Sequence, residues 1–574
     1  MTTIINPPQL SGLARLEKWA PGIRVARTYD RAYVGKDVLA GVVLCALLVP
    51  QGMAYAELAG LPAITGLYTT IVCLFAYAIF GPSPFLVLGP DSSLGPMIAA
   101  TVLPLAAGDE TYAVALAGML ALWVGLVGVG AGVARLGFVA DLLSAPVRVG
   151  YLSGLAVTIF VGQLPKLFGF SIDADTFLQE ITYFWQGLDQ TNTYALSVGL
   201  LCLVIILGLK RLRPKLPGVL IAVLAAITVT VIFDLAAKGV DVVGILPQGF
   251  PRPTFPRVEL ADIPILAATA VGISLVTIGD TISTSAGFAA RKGYDVDSDQ
   301  EMVGIGAANL VAGFFSGFPV STSSSRTAVA EQSGAQTQLT GVVAGSLVLL
   351  MLLIAPGLVQ NLPQPALAAI VITASISLFD LKALRRLYKI RRSEFALAVV
   401  CALGVILVGV LEGIVIAVIL AVMQFFERSW RPYTAVLGKP AEVDGYHDIT
   451  RYPEAAQIPG LLMLRWDAPL FFANANIFRQ KVRTLVAQTE PKPVWIVVAA
   501  EPVTDVDTTA AEMLVDLDEE LNASGIHLVF AELKDPVKDK MIRYGLLETI
   551  ASHHFYPTLD TAVAAFYEET KNDA

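Results

Sequence analysis

Two short stretches of the chain combine helix-breaking residues with hydroxyls and charge. FLVLGPDSSLGPM (residues 85–97) and GFPVSTSSSRTA (residues 317–328) each interrupt an apolar run with Gly, Pro and Ser, and VPQGMAYAELAGLP (residues 49–62) does so more mildly. Broken backbone at membrane depth is tolerated only where it is buried in protein or lines a cavity. The simpler alternative is that Gly and Pro merely kink or closely pack these helices.

The second stretch places Arg326 directly after Ser323, Ser324 and Ser325. If a helix begins there, free backbone N–H groups, the positive helix end, three hydroxyls and a guanidinium converge, which is the chemistry of an anion site. Asp280, within GISLVTIGDTISTSAGF (residues 272–288), puts a carboxylate beside Thr281, Ser283, Thr284 and Ser285. Such a group can take a proton, whose affinity burial raises, or share a sodium ion with neighbouring oxygens. Asp91 opens the first broken helix, where it would cap backbone N–H groups and compete with an anion. Its alternative roles are a plain cap or a part in ion coupling, and pairing of Arg326 with Asp91 or Asp280 is compatible with either. Gln51, following Pro50, offers an amide donor and acceptor. Asp91, Asp280 and Arg326 are the intramembrane charges that this reading singles out, because each is costly in a bilayer.

These residues need elements to carry them. Of 574 residues, 55% are apolar and 15% charged, and runs of about 20 apolar residues recur, each long enough to cross a bilayer core. Fourteen spans are expected near 38–56, 63–80, 86–106, 111–134, 141–168, 193–209, 216–235, 263–287, 299–315, 322–334, 336–355, 363–379, 394–411 and 413–427. The two strongest breaks then fall in the third span of each set of seven, the pattern of a binding site in an inverted-repeat transporter. The basic clusters 15–36, 210–215, 291–292 and 382–392 all land on the cytoplasmic side, and Asp173, Asp175, Glu180 and Asp189 land outside. Residues 1–36 read as a cytoplasmic lead without a secretory signal.

Near Pro440 the texture changes to short apolar strands, 461–466, 494–499 and 526–533, alternating with helical stretches 474–486 and 508–523, which predicts a small α/β domain. Residues 428–574 hold 14 Lys and Arg against 22 Asp and Glu, so nucleic acid is a poor partner. Asp507 and Thr508 stand between a strand and a helix; capping is expected, and Thr508 is a candidate regulatory position. All four His residues lie in this region and all four Cys in apolar runs, so no metal centre, disulfide framework or cofactor is expected.

Taken together, DVLAGVVLCALLVPQGMAYAELAGLPAITGLY (residues 37–68), FLVLGPDSS (85–93), PVRVGYLSGLAVTI (146–159), FAARKGYDVDSDQEMVGIGAANLVAGFFSGFPVSTSSSRTAVAEQSGAQTQLTG (288–341) and TDVDTTAAEML (504–514) resemble the sulfate permease (SulP) family of anion transporters with a C-terminal STAS domain. The resemblance implies a polytopic α-helical membrane protein with 14 transmembrane segments in a 7+7 inverted repeat. A core (spans 1–4 and 8–11) would rock against a gate (spans 5–7 and 12–14) within residues 37–427, followed by a linker (428–439) and a cytoplasmic STAS domain (440–574). It implies anion contacts from Gln51, Ser92, Ser93, Ser324, Ser325 and Arg326, a coupling carboxylate at Asp280, and a homodimer in a bacterial inner membrane. Asp280 with Thr284 four residues on resembles sodium-dependent bicarbonate members, whereas proton-coupled sulfate members usually carry Glu there.

The expected function is proton-coupled sulfate uptake by an elevator mechanism rather than an enzymatic reaction. Sodium-coupled bicarbonate uptake, anion exchange and dicarboxylate uptake are alternatives on the same fold. An anion-binding sensor and a passive anion channel are alternatives of another class. The STAS domain is expected to regulate, traffic or bind a cytoplasmic partner.

Overall fold

The structure, a computed structural model, describes residues 17, 19–137, 144–172, 174, 176–213, 216–546 and 549–572. Arg15, Asp173, Asp175 and Lys215, used above for orientation, lie outside the described residues, as do 1–16 of the expected lead. Two compact units emerge, Met1–Ala421 and Val422–Ala574.

The first unit is helical. Its elements are α1 (Val34–Leu58), α2 (Ala63–Phe80), β1 (Leu88–Gly89), α3 (Gly95–Ala106), α4 (Glu110–Val133), α5 (Ala145–Phe168), α6 (Phe177–Gln186), α7 (Thr193–Leu212), α8 (Gly218–Ile232), α9 (Ile263–Lys292) and α10 (Ser298–Phe314). They continue as β2 (Ser321–Thr322), α11 (Ser324–Gln332), α12 (Leu339–Ile354), α13 (Gln364–Leu378), α14 (Leu381–Ile390), α15 (Arg392–Leu407) and α16 (Val410–Trp430). Among the described residues, seven helical stretches are long and apolar enough to cross a membrane, one of them running through both α13 and α14 (Gln364–Ile390), and α3, α8 and α12 are shorter apolar helices. Each expected apolar segment falls, within the described residues, on one of the helices named above, except that the two broken segments are a short strand followed by a short helix; residues 141–143 of the fifth expected span lie outside the described residues. The extra helices, α6 and α14, are amphipathic and escape a search for apolar runs.

The helices gather in two packed groups. In one, α4 lies against α9 and α10, α2 against α10, and α12 against α1 and α2; in the other, α5 lies against α13 and α15, and α7 against α8 and α13. Small residues set the distances: a Cβ on Gly66 would come within 1.9 Å of the Gly52 carbonyl oxygen, so α1 and α2 cross in near backbone contact.

The second unit is an α/β domain. Its elements are β3 (Thr434–Gly438), β4 (His447–Asp448), β5 (Leu461–Trp466), α17 (Ala475–Gln488), β6 (Trp495–Ala499), α18 (Thr508–Asn522), β7 (His527–Ala531), α19 (Asp535–Arg543), β8 (Phe555–Tyr556) and α20 (Leu559–Asn572). The six-stranded sheet has the order β4-β3-β5-β6-β7-β8, parallel from β5 to β8, with β3 antiparallel to β5 and β4 antiparallel to β3. Apolar clusters cover both of its faces, which is why β5 and β6 read as continuous apolar runs.

One boundary shifts. The stretch 428–439, expected as a linker, holds the end of α16 and all of β3, which pairs Thr434 with Trp466. Five residues of a strand whose neighbours β4 and β5 follow later in the chain carry too little alternation to be read without their partners.

Candidate functional site

The two broken segments meet. β1 and β2 form an antiparallel ribbon with Leu88 opposite Thr322 and Gly89 opposite Ser321, and each strand runs into a short helix, α3 and α11. Two residues of pairing cannot satisfy an irregular backbone in a dry interior, so side chains from the surrounding helices complete it. Asn309 on α10 accepts from the Val320 N–H (2.9 Å) and donates to the Val320 carbonyl (3.2 Å). Gln338 donates to the Ser83 and Leu86 carbonyls at 2.9 and 3.0 Å, and the Thr327 hydroxyl accepts from the Val87 N–H at 3.1 Å.

Arg326 lies under this ribbon, on the first turn of α11, with its side chain 1% exposed. Its Nη2 is 3.3 Å from Asp91 Oδ2, while Nε and Nη1 have no partner among the described residues. A Cβ on Gly89 would sit 2.7 Å from Nη1, so the missing side chain leaves room for the guanidinium. Gln51 Oε1, Ser321 Oγ and Thr277 Oγ1 are likewise buried and unpartnered. A buried polar group left unpaired costs about 1–3 kcal/mol, so the two unpartnered nitrogens of a buried guanidinium call for a polar ligand.

Asp91 does not cap α3 directly. Its Oδ1 accepts from the Ser93 N–H (3.0 Å) and hydroxyl (2.8 Å), and its carbonyl starts a turn that leads into α3 at Gly95. The carboxylate thus caps that turn and turns its other oxygen to Arg326. Ser92 and Ser93 are buried, and Tyr151 on α5 donates its hydroxyl to the Ser93 carbonyl at 3.1 Å.

The hydroxyls of α11 divide. Ser323 caps the helix by accepting from the Arg326 N–H, Ser323 and Ser325 share a 3.1 Å hydrogen bond, and Ser324 shares one of 2.9 Å with Thr284 on α9. Asp280, one turn before Thr284, forms no hydrogen bond or ion pair among the described residues and feels the charges of Asp91 and Arg148. The structure therefore joins Asp91 to Arg326 and to Ser93, and Thr284 to Ser324. It leaves Gln51 Oε1 and Asp280 without a hydrogen-bond or ion-pair partner among the described residues.

Four polar residues escaped the sequence reading. Glu301 on α10 is fully buried and accepts from Tyr77 (2.6 Å) and Ser83. Asp37, also fully buried, accepts from Tyr29, from the Gln336 and Thr337 N–H groups and from the Thr337 and Thr340 hydroxyls, fastening α1 to the turn after α11. Arg148 donates to Ser283 at 2.7 Å, and with Tyr151 it brings α5 against the site. Glu301 sits within an expected span, so the cost of an intramembrane charge was a signal that could have found it. In the second unit, Asp507 caps α18 and also accepts from the Phe472 N–H at 2.8 Å, and Thr508 is exposed on the first turn.

Similarity to known proteins covers nearly the whole chain. The family profile described as Sulfate permease family matches residues 34–402, and that described as STAS domain matches 452–562. A probable sulfate transporter of Mycobacterium tuberculosis is 41% identical over 550 residues, 96% of this chain and 98% of the relative. The chloroplastic sulfate transporter 4.1 of Arabidopsis thaliana is 30% identical, over 96% of this chain and 83% of the relative. Murine solute carrier 26 family member A9, an anion transporter solved in the inward-facing state, matches with a TM-score of 0.90 at 23% identity, covering 98% of this chain and 96% of that one. The transmembrane domain of a cyanobacterial bicarbonate transporter matches 69% of this chain and 97% of its own with a TM-score of 0.60 at 20% identity. The fold is thus that of a membrane-spanning transporter of the solute carrier 26 type with a C-terminal STAS domain.

Proposed function

The chain belongs to the sulfate permease family, and from that premise we propose that it is a secondary active transporter of inorganic anions, foremost a proton-coupled sulfate importer. The observation that carries this reading is the buried Arg326, two of whose nitrogens have no partner among the described residues, beside the paired strands that open two broken helices. Sulfate offers the oxygens those donors lack, and Gln51, Ser92, Ser93, Ser324 and Ser325 serve in this reading as its further contacts. Asp280 takes the proton that accompanies the anion; a sodium ion held with Thr284 is the alternative for coupling. Asp91 sets how firmly Arg326 is engaged before the anion arrives.

The helices packed around α4, α9 and α10 serve as a core that carries the site, and those around α5, α7 and α13 as the gate it moves against. Fourteen spans in a 7+7 inverted repeat agree with two strand-and-helix breaks that face one another. Homodimerisation, an inner or plasma membrane location with both termini cytoplasmic, and a regulatory or partner-binding STAS domain complete the reading.

The decisive experiment is uptake of radiolabelled sulfate into proteoliposomes under an inward proton gradient, an inward sodium gradient and neither, with Asp280→Asn beside the parent. Accumulation driven by protons and lost in the variant supports the symporter. Sulfate uptake driven by sodium alone, or bicarbonate uptake in its place, overturns proton-sulfate coupling, and binding without flux points to a sensor.

A further inference from the structure

α14 is built differently from every apolar helix around it. Its sequence LKALRRLYKI, at 3.6 residues per turn, puts Lys382, Arg385, Arg386 and Lys389 on one arc and Leu381, Ala383, Leu384, Leu387, Tyr388 and Ile390 on the other. Arg391 and Arg392 follow, so residues 380–394 hold six cations against Asp380 and Glu394.

The chain turns out of α13 to make this helix. Phe379 is extended at ψ 99°, and Asp380 caps α14 by accepting from the Ala383 N–H at 2.9 Å. α14 packs against α15 and α5, yet no residue in it is buried, and Leu381, Tyr388 and Ile390 remain 46, 53 and 68% exposed. Among the described residues Arg391 pairs with Glu394 at 3.6 Å, whereas Lys382, Arg385, Arg386 and Lys389 have no hydrogen-bond or ion-pair partner.

A second basic segment reaches the same place. Lys210, in the last turn of α7, donates to Ser377 in the last turn of α13 at 2.8 Å. The ends of α7 and α13 therefore lie side by side, with Lys210 near the start of α14 and Arg211 and Arg213 following it in sequence.

We propose that α14, with the basic end of α7, is a docking surface for the anionic headgroups of the bilayer, lying at the membrane boundary with its exposed apolar residues in the acyl region and its Lys and Arg residues among phosphates. An acidic protein surface would satisfy the cations but leave Leu381, Tyr388 and Ile390 in water, whereas a lipid boundary accommodates both arcs. Through its packing on α5 and α15, the lipid-bound helix steadies the group of helices beside the anion site. The inference does not depend on which anion is carried.

The test uses the full chain in phosphatidylcholine vesicles with and without phosphatidylglycerol, reading retained lipid by native mass spectrometry and anion uptake in the same preparations. The parent retains phosphatidylglycerol and transports faster in its presence. Arg385→Gln/Arg386→Gln/Lys389→Gln weakens retention on the order of a hundredfold and loses the stimulation, while matching the parent in phosphatidylcholine alone. The charge-preserving Arg385→Lys/Arg386→Lys/Lys389→Arg retains lipid as the parent does, which separates loss of charge from misfolding. Equal phosphatidylglycerol retention by the parent and the glutamine variant overturns the proposal. So does displacement of the lipid by inorganic phosphate at low concentration, which would mark a free-anion site.

Discussion

Arg326 Nη2 lies 3.3 Å from Asp91 Oδ2 across 235 residues of sequence, and Nε and Nη1 have no acceptor among the described residues. Asp91 thus holds one nitrogen of the cation that an oxyanion would use. Asp91→Asn is expected to lower the KM for the transported oxyanion by about tenfold, since a hydrogen bond to a charged group is worth about 1.5 kcal/mol or more. Arg326→Gln should abolish saturable uptake. Uptake kinetics in vesicles check both, and an unchanged KM in the Asp91 variant counts against competition.

Gly89 faces the same guanidinium. Because a Cβ there meets Nη1 at 2.7 Å, Gly89→Ala should push the side chain out of place and cut uptake at least about tenfold, the cost of one lost charge-assisted bond. Size-exclusion behaviour should stay that of the parent. Full activity in this variant would show that Nη1 takes no part.

Asn309 holds β2 by satisfying both backbone groups of Val320. Asn309→Ala leaves a buried N–H and carbonyl unpaired and should cost on the order of 1–3 kcal/mol for each. A thermal unfolding series in detergent is expected to show a clear drop in midpoint, while Ser325→Ala, at an exposed position, should leave it in place.

In the C-terminal unit two shifted groups oppose each other. Burial pushes the Asp518 carboxyl up from 3.8 to about 6, and burial with the charges of His553 and His527 pushes His554 down from 6.5 to about 4. Between those values the folded state holds a proton at Asp518 that the unfolded chain has lost, so this group's contribution to stability falls as pH rises. At His554 the unfolded chain binds the extra proton, so its contribution grows with pH. The excised unit Val422–Ala574 should therefore show a urea midpoint that changes little from pH 4.5 to 6. Asp518→Asn should make the midpoint climb with pH, and His554→Gln should make it fall; the same slope in both variants would refute the opposition.

How far the sequence reached is clearest at single residues. Apolar runs of membrane length and the Gly, Pro and Ser breaks at 85–97 and 317–328 marked the helices and the two segments that pair as β1 and β2, because span length and helix breaking are local properties. Arg326 and Asp280 stood out because a charge inside an apolar run is expensive wherever it ends up. Asp507 was readable as a cap for the same local reason. The amphipathic α14 and the short strand β3 were not, since one is not an apolar run and the other needs its partners β4 and β5 to make sense of its pattern. Only the tertiary structure decided that Asp91 rather than Asp280 pairs with Arg326, that Thr284 meets Ser324, and that Asn309 and Gln338 complete the ribbon. Those pairings depend on how helices distant in sequence cross and pack, and a hydrogen bond that fails or forms over an ångström is set by that packing and not by the spacing of residues along the chain.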